Sequence, residues 1–165
     1  MSVEELVRRA QRGDAVALDA LIVELVPYVG RICGAVALGA ADDAVQEAMI
    51  AIVRHLPDLR EPAAIRGWVR RIAVREAVRV ARAGPVVPVD PSDLASVAAL
   101  DPGIDAIDVR AVLASLRPEH RAVLALRHFD GLSEDEMGQI LDVAPGTVKS
   151  RLHRARVAFR ARWTA

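Results

Sequence analysis

The chain is short of most features that staple a small protein or give it chemistry. One cysteine, Cys33, stands in 165 residues; a lone thiol closes no internal disulfide and completes no cysteine-rich zinc site, so the fold must come from packing. Aromatic residues make up 3% of the chain, namely Tyr28, Trp68, Phe129, Phe159 and Trp163, which leaves few platforms for stacking unpaired bases. No uninterrupted apolar stretch approaches the roughly 20 residues of a membrane helix. Glu4, Glu5 and Asp14 occupy the stretch where a secretory signal would carry an apolar segment, so we expect no membrane insertion and a cytoplasmic protein. The histidines His55, His120, His128 and His153 are scattered, with no nucleophile–base or metal-ligand spacing. Neither an enzyme nor a cofactor or metal is expected. The length excludes a catalytic fold of roughly 300 residues and allows one domain or two small ones.

What is present is charge, and it is segregated. The 22 Lys+Arg balance the 22 Asp+Glu overall, yet residues 84–107 hold Asp90, Asp93, Asp101 and Asp105 and no basic side chain. The same stretch contains Pro85, Pro88, Pro91 and Pro102, whose fixed φ and missing amide donors disfavour helix and central strand. This predicts a flexible acidic linker over 84–104 between one unit spanning 1–83 and another spanning 105–165. Beyond Asp142 no acid follows, while Lys149, Arg151, Arg154, Arg156, Arg160 and Arg162 do; so basic a tail points to an anionic partner.

Both flanks of the linker have helical periodicity. Leu18, Leu21, Ile22 and Leu25 recur at three- and four-residue spacing, as do Val45, Met49, Ile52, Val53 and Leu56. Between Ile65 and Arg82, Ile65, Val69, Ile72 and Val80 share one side, and Arg71, Arg75, Arg79 and Arg82 fall within about a quadrant at roughly 100° per residue. Trp68, spaced with Ile65 and Ile72, is assigned to packing. Breaks at Pro27, Gly39 and the Pro57–Pro62 loop divide this half into about four helices. In the second half helices are predicted near Asp105–Leu116, Pro118–His128, Ser133–Leu141 and Pro145–Arg162, with Pro118 and Pro145 in first turns. The fold class is therefore all-α: two small helical domains joined by a linker.

The last two predicted helices carry the most specific local pattern. Ser133-Glu134-Asp135-Glu136 is a capping box, flanked by Leu132 and Met137 as a hydrophobic staple. Only Asp142-Val143-Ala144 separates this helix from the next, which suits a helix-turn-helix. Val148, Leu152, Ala155 and Phe159 form an apolar stripe, so Thr147, Ser150, Arg151 and Arg154 point the other way and Lys149 lies at the flank. Hydroxyls near a helix N-terminus, and arginines able to grip guanine, are what a major-groove helix needs. A solvated basic face on an ordinary packing helix is the plainer reading, and the short turn, the box and the acid-free tail together favour DNA.

These residues resemble a known family. Leu116-Arg117-Pro118-Glu119-His120-Arg121-Ala122-Val123-Leu124, Arg127-His128-Phe129-Asp130-Gly131-Leu132-Ser133 and Gly146-Thr147-Val148-Lys149-Ser150-Arg151-Leu152-His153-Arg154-Ala155-Arg156 closely resemble the promoter-reading domain of extracytoplasmic-function (ECF) sigma factors. Asp42-Asp43-Ala44-Val45-Gln46-Glu47 resembles that family's polymerase-docking helix, and Arg66-Gly67-Trp68-Val69-Arg70-Arg71-Ile72-Ala73 its promoter-melting helix. The resemblance implies an initiation factor whose partners are core RNA polymerase and promoter DNA, with an inhibitory anti-sigma factor as a further partner. It places polymerase binding at Asp42, Asp43, Gln46 and Glu47, and DNA binding at Arg71, Arg75, Arg79, Thr147, Lys149, Ser150, Arg151 and Arg154. It also places capture of a flipped base in the loop His55–Ala64 and threads residues 84–104 through the polymerase's nucleic-acid channels.

The residues themselves leave room beside the resemblance. Carboxylates at 42, 43 and 47 also suit a helix N-terminus, whose dipole they complement. A free-standing helix-turn-helix regulator, with a ligand-sensing or dimerising N-terminal bundle, accounts for the C-terminal helix without the acidic patch. The chain departs from the family at Asp142 and Ala144, where a helix-ending glycine and a hydroxyl cap are usual, and at Val74-Arg75, where Arg-Asn is usual.

Overall fold

A computed structural model of the chain describes residues 1–84 and 106–163, which hold eight α-helices and no strand. The first unit contains α1 (Val3–Gln11), α2 (Ala15–Ala37), α3 (Ala41–His55) and α4 (Ile65–Ala83). The second contains α5 (Ala106–Ala114), α6 (Pro118–Asp130), α7 (Glu134–Leu141) and α8 (Pro145–Trp163). The linker expectation over 84–104 lies outside the described residues apart from Gly84.

Local signals account for the helix ends. Ser2 caps α1 by accepting the Glu5 amide at 3.2 Å, and Asp14 caps α2 by accepting the Ala17 amide at 3.0 Å. Between them Gly13 takes φ 89°, the left-handed region open to a residue without Cβ. That is where the first break falls. The break expected at Pro27 does not occur, because α2 runs through it as a helix of 23 residues. Pro27 and Val23, four residues before it, both face solvent, so water can take the carbonyl that loses its helical donor. The break near Gly39 is a short 3₁₀ turn over Leu38–Ala40, with the positive φ of 51° at Leu38. Burial of the Leu38 side chain holds that unfavourable backbone in place.

Helices α2, α3 and α4 pack on one another, and α1 lies across α2. Leu21, Val29, Ile32, Ile52, Val69 and Val74 are all buried between them, each worth about 1.5–3 kcal/mol of burial for a side chain of this size. Within Ala15–Asp58 an 18-residue window of mean hydropathy 1.8 is long and apolar enough to cross a membrane, and half of that window is buried inside the protein. Its apolar content is that of a core. In the second unit α8 packs against α5, α6 and α7, with Val148, Leu152 and Ala155 buried.

The two units are in contact. Helix α6 packs on α2 and α4, and α7 packs on α4. Buried residues from both units form one continuous apolar cluster.

Candidate nucleic-acid interface

The turn before α8 is built by close approach. Leu132 is buried beside Met137, and the capping box forms as the sequence predicts: Ser133 Oγ accepts the Glu136 amide at 3.2 Å, and Glu136 accepts the Ser133 amide at 2.7 Å. Those bonds hold the Glu136 carboxyl below its ordinary pKa. Asp142 ends α7 at φ 55°, doing the left-handed work usually given to glycine. Glycine is instead required at Gly138, where an added Cβ would lie 2.7 Å from the Val143 carbonyl oxygen. Helix α8 then starts at Pro145, and the Ala144 carbonyl takes the amides of Thr147 and Val148 at 2.9 and 3.2 Å. No hydroxyl cap is needed.

The apolar stripe of α8 is buried as expected, but of the four residues read as pointing outward only Arg154 is fully exposed. Val148, Leu152 and Ala155 are buried, while Lys149 and Arg154 are exposed. Thr147 and Ser150 are half-buried, and Ser150 Oγ donates to the Thr147 carbonyl at 3.0 Å. Arg151 is half-buried and lines a cleft against α4. Phe159 is partly buried and stacks on Trp163, ring centroids 5.9 Å apart.

On α4 the arginines at 71, 75, 79 and 82 are all exposed, opposite the buried Val69, Ala73 and Ala77. Trp68 packs on the core, half-buried. On α3, Asp42, Asp43, Gln46 and Glu47 are exposed and share their face with the exposed Ile50. The acidic and basic faces meet at one point, where Arg79 donates to Glu47 at 2.9 Å as well as to Glu76 at 2.7 Å. The loop between α3 and α4 holds two 3₁₀ turns, Leu56–Asp58 and Pro62–Ala64. The Gln11 amide ties it down by donating to the Leu56 and Leu59 carbonyls at 2.9 and 2.7 Å.

A polar junction between the units escaped the sequence reading. Asp130, in the last turn of α6, accepts from Arg70 of α4 at 2.9 Å and from the Tyr28 hydroxyl of α2 at 3.0 Å. Arg70 Nε also donates to the Tyr28 oxygen at 2.9 Å. Arg31 stands over the rings of Tyr28 and Phe129, 5.6 and 5.1 Å from their centroids. Burial lifts the Tyr28 phenol above its ordinary pKa, so it stays a neutral donor. The one sequence cue was an acid in the last turn of a helix, where the dipole favours cations; such an acid points to a partner elsewhere. Arg121, which follows Glu119 and His120 and opens the buried run Arg121–Leu126, was not singled out either. It is buried, donates to the Val36 carbonyl at 2.7 Å and to the Leu116 carbonyl at 2.7 Å, and so satisfies an orphan carbonyl at the end of α2. Burial lowers its pKa to about 10, which leaves it charged at neutral pH.

Between the units lies a cleft of 590 Å³, lined by Arg75, Arg79 and Arg82 of α4, Arg151 of α8, and Glu119. Arg82 is ion-paired with Glu119. His120, beside that acid, is held below its ordinary pKa, first by burial and then by Arg117. Among the described residues no group of three or more His, Cys, Asp or Glu side chains is placed to hold a metal ion.

Comparison with known proteins follows this division. Residues 21–84 match the family model described as sigma-70 region 2, and residues 106–159 match sigma-70 region 4. The chain is 33% identical over 172 residues to the ECF RNA polymerase sigma-E factor of Escherichia coli K12, covering 93% of this chain and 90% of that protein. It is 35% identical over 130 residues to the ECF RNA polymerase sigma factor SigE of Mycolicibacterium smegmatis, covering 73% of this chain and spanning only 50% of that longer protein. The solved structure of CnrH in complex with the cytosolic domain of CnrY is similar in fold, with TM-score 0.63 and 23% identity over 96% of this chain and 95% of that one.

Proposed function

The chain belongs to the ECF sigma factors of RNA polymerase, which direct the enzyme to promoters, and from that premise we propose which surface performs each step. Asp42, Asp43, Gln46 and Glu47 dock on core polymerase. Arg71, Arg75 and Arg79 of α4 follow the phosphate backbone where the promoter is opened, and α8 enters the major groove of the upstream element with Thr147, Lys149, Ser150, Arg151 and Arg154. The protein catalyses nothing itself and works in the cytoplasm, where polymerase and DNA are. An inhibitory partner that covers the same surfaces belongs to this reading, since an exposed docking face and two basic faces are what such a partner would hide.

The observation that carries the assignment is the opposite sign of the two kinds of surface. An exposed acidic stripe on α3 repels DNA and suits a basic protein partner, whereas the exposed faces of α4 and α8 carry arginine. Co-purification with core polymerase, followed by sequencing of the transcript starts it directs, tests the reading. Starts that share an upstream and a start-proximal element support it. A chain that ignores core polymerase and binds a palindromic site tightly as a dimer overturns it.

A further inference from the structure

We infer that the cleft between the two units is a binding site for a nucleoside polyphosphate, with arginines of both units on the phosphates and an apolar wall against the base. This goes beyond the promoter-reading assignment and does not rest on it. At 590 Å³ the cleft has the size of sites that enclose small organic ligands. Arg75, Arg79 and Arg82 line it from α4 and Arg151 from α8, against a single acid, Glu119. Two of these cations are matched: Arg82 pairs with Glu119, and Arg79 with Glu47 and Glu76. Arg75 and Arg151, one from each unit, have no carboxylate partner among the described residues. The cleft therefore gathers more positive charge than its own acid neutralises.

The chemistry of the lining selects the ligand. A guanidinium presents paired N–H donors that match phosphate oxygens two at a time, and guanidiniums arriving from two helices suit a chain of phosphates better than one carboxylate. The pairs already in place are weak competitors. The Arg79 and Arg82 side chains are 55% and 61% exposed, and ion pairs open to water contribute little. Between the arginines the wall is apolar: Val78 of α4 lines the cleft together with Leu141 at the end of α7 and Val143 in the turn before α8, all three only half-buried. A duplex phosphate strand makes no use of such a wall, whereas a purine ring buries a face against it. Because the arginines come from both units, a ligand that bridges them binds the assembled chain alone and stabilises it.

Calorimetric titration of the full-length chain at physiological salt, with ATP, inorganic tripolyphosphate and adenosine as probes, tests this. ATP should bind once per chain. Tripolyphosphate, despite its greater charge, should bind about fivefold more weakly for want of a base, and adenosine too weakly to measure. Two double variants remove the same charge from the same two helices: Arg75→Ala with Arg151→Ala inside the cleft, and Arg71→Ala with Arg154→Ala outside it. The first should lose about tenfold or more in ATP affinity, and the second should stay within about twofold of wild type. ATP should raise the thermal midpoint of the wild type and of the second variant, and not that of the first. Circular dichroism confirms that helix content is kept, and Arg75→Ala alone, at an exposed position, should show a smaller loss in the same direction. No binding of ATP, more than one ATP per chain, tripolyphosphate held as tightly as ATP, or equal losses in the two double variants overturns the site; the last is what a basic surface attracting any anion gives. None of these readings needs polymerase or DNA, so a chain that binds ATP as described yet directs no transcription counts against the promoter-reading assignment and not against the cleft.

Discussion

At the scale of single residues, two positions carry local geometry that substitution can test. Gly138 lets the turn after α7 fold back until the Val143 carbonyl lies within 2.7 Å of where a Cβ would be. The obstacle is backbone, which cannot swing aside as a side chain can. Gly138→Ala should destabilise the second unit by about 1–3 kcal/mol and weaken duplex binding with it, as read by thermal denaturation and gel shift; unchanged values would show that the turn relaxes freely. Asp14 is held below the ordinary carboxylate range first by the Ala17 amide and then by the Arg9 guanidinium, which bonds it at 2.8 and 2.6 Å. A depressed acid contributes stability above its unfolded pKa and loses it as pH falls through the folded one. The corner between α1 and α2 should therefore loosen only in strong acid, and an NMR titration should place Asp14 below a typical aspartate. Asp14→Asn should remove that part of the acid dependence.

At the scale of elements, α7 and α8 were legible because their signals are local. A capping box needs residues three apart, and an apolar stripe needs only helical spacing; both formed as read. The path of α2 was not legible. Proline usually marks a break, but Pro27 lies on the wet side of a helix whose other side, from Leu21 to Ile32, is gripped by the core. The true break, at Gly13, was signalled by a glycine followed by a capping aspartate. Helix α8 also separates two kinds of contact that mutation can distinguish. Arg154→Ala should cost about 1–3 kcal/mol and relax sequence preference if that arginine pairs with a base edge, while Lys149→Ala should weaken all duplexes alike and lower the salt slope by about one. Titrations of matched and mismatched duplexes at several salt concentrations provide the check. The same loss for every sequence in both variants would assign both side chains to phosphate.

At the scale of the whole molecule, function depends on surfaces that do not interfere. The proposed docking stripe on α3 lies on the first unit, and α8 lies on the second. Asp43→Arg should therefore abolish assembly with core polymerase in a pull-down while leaving duplex binding by the free chain intact or slightly tighter. Normal assembly would move the docking site elsewhere. The exception to this separation is the ion pair between Glu47 and Arg79, where the two proposed surfaces touch. Both partners are about half exposed, so the pair adds little to stability.

The sequence by itself determined the helical class, the helix-turn-helix and the sign of each surface. Periodicity, caps and charge runs are properties of neighbours along the chain, and water and the backbone enforce them wherever they occur. Only the tertiary structure decided that Arg70 and Tyr28 meet Asp130, that Arg121 covers the end of α2, and that Arg151 turns toward α4. Those contacts join residues as many as 102 positions apart. Their energies depend on desolvation and geometry at one place in space, which nothing in the order of the amino acids records.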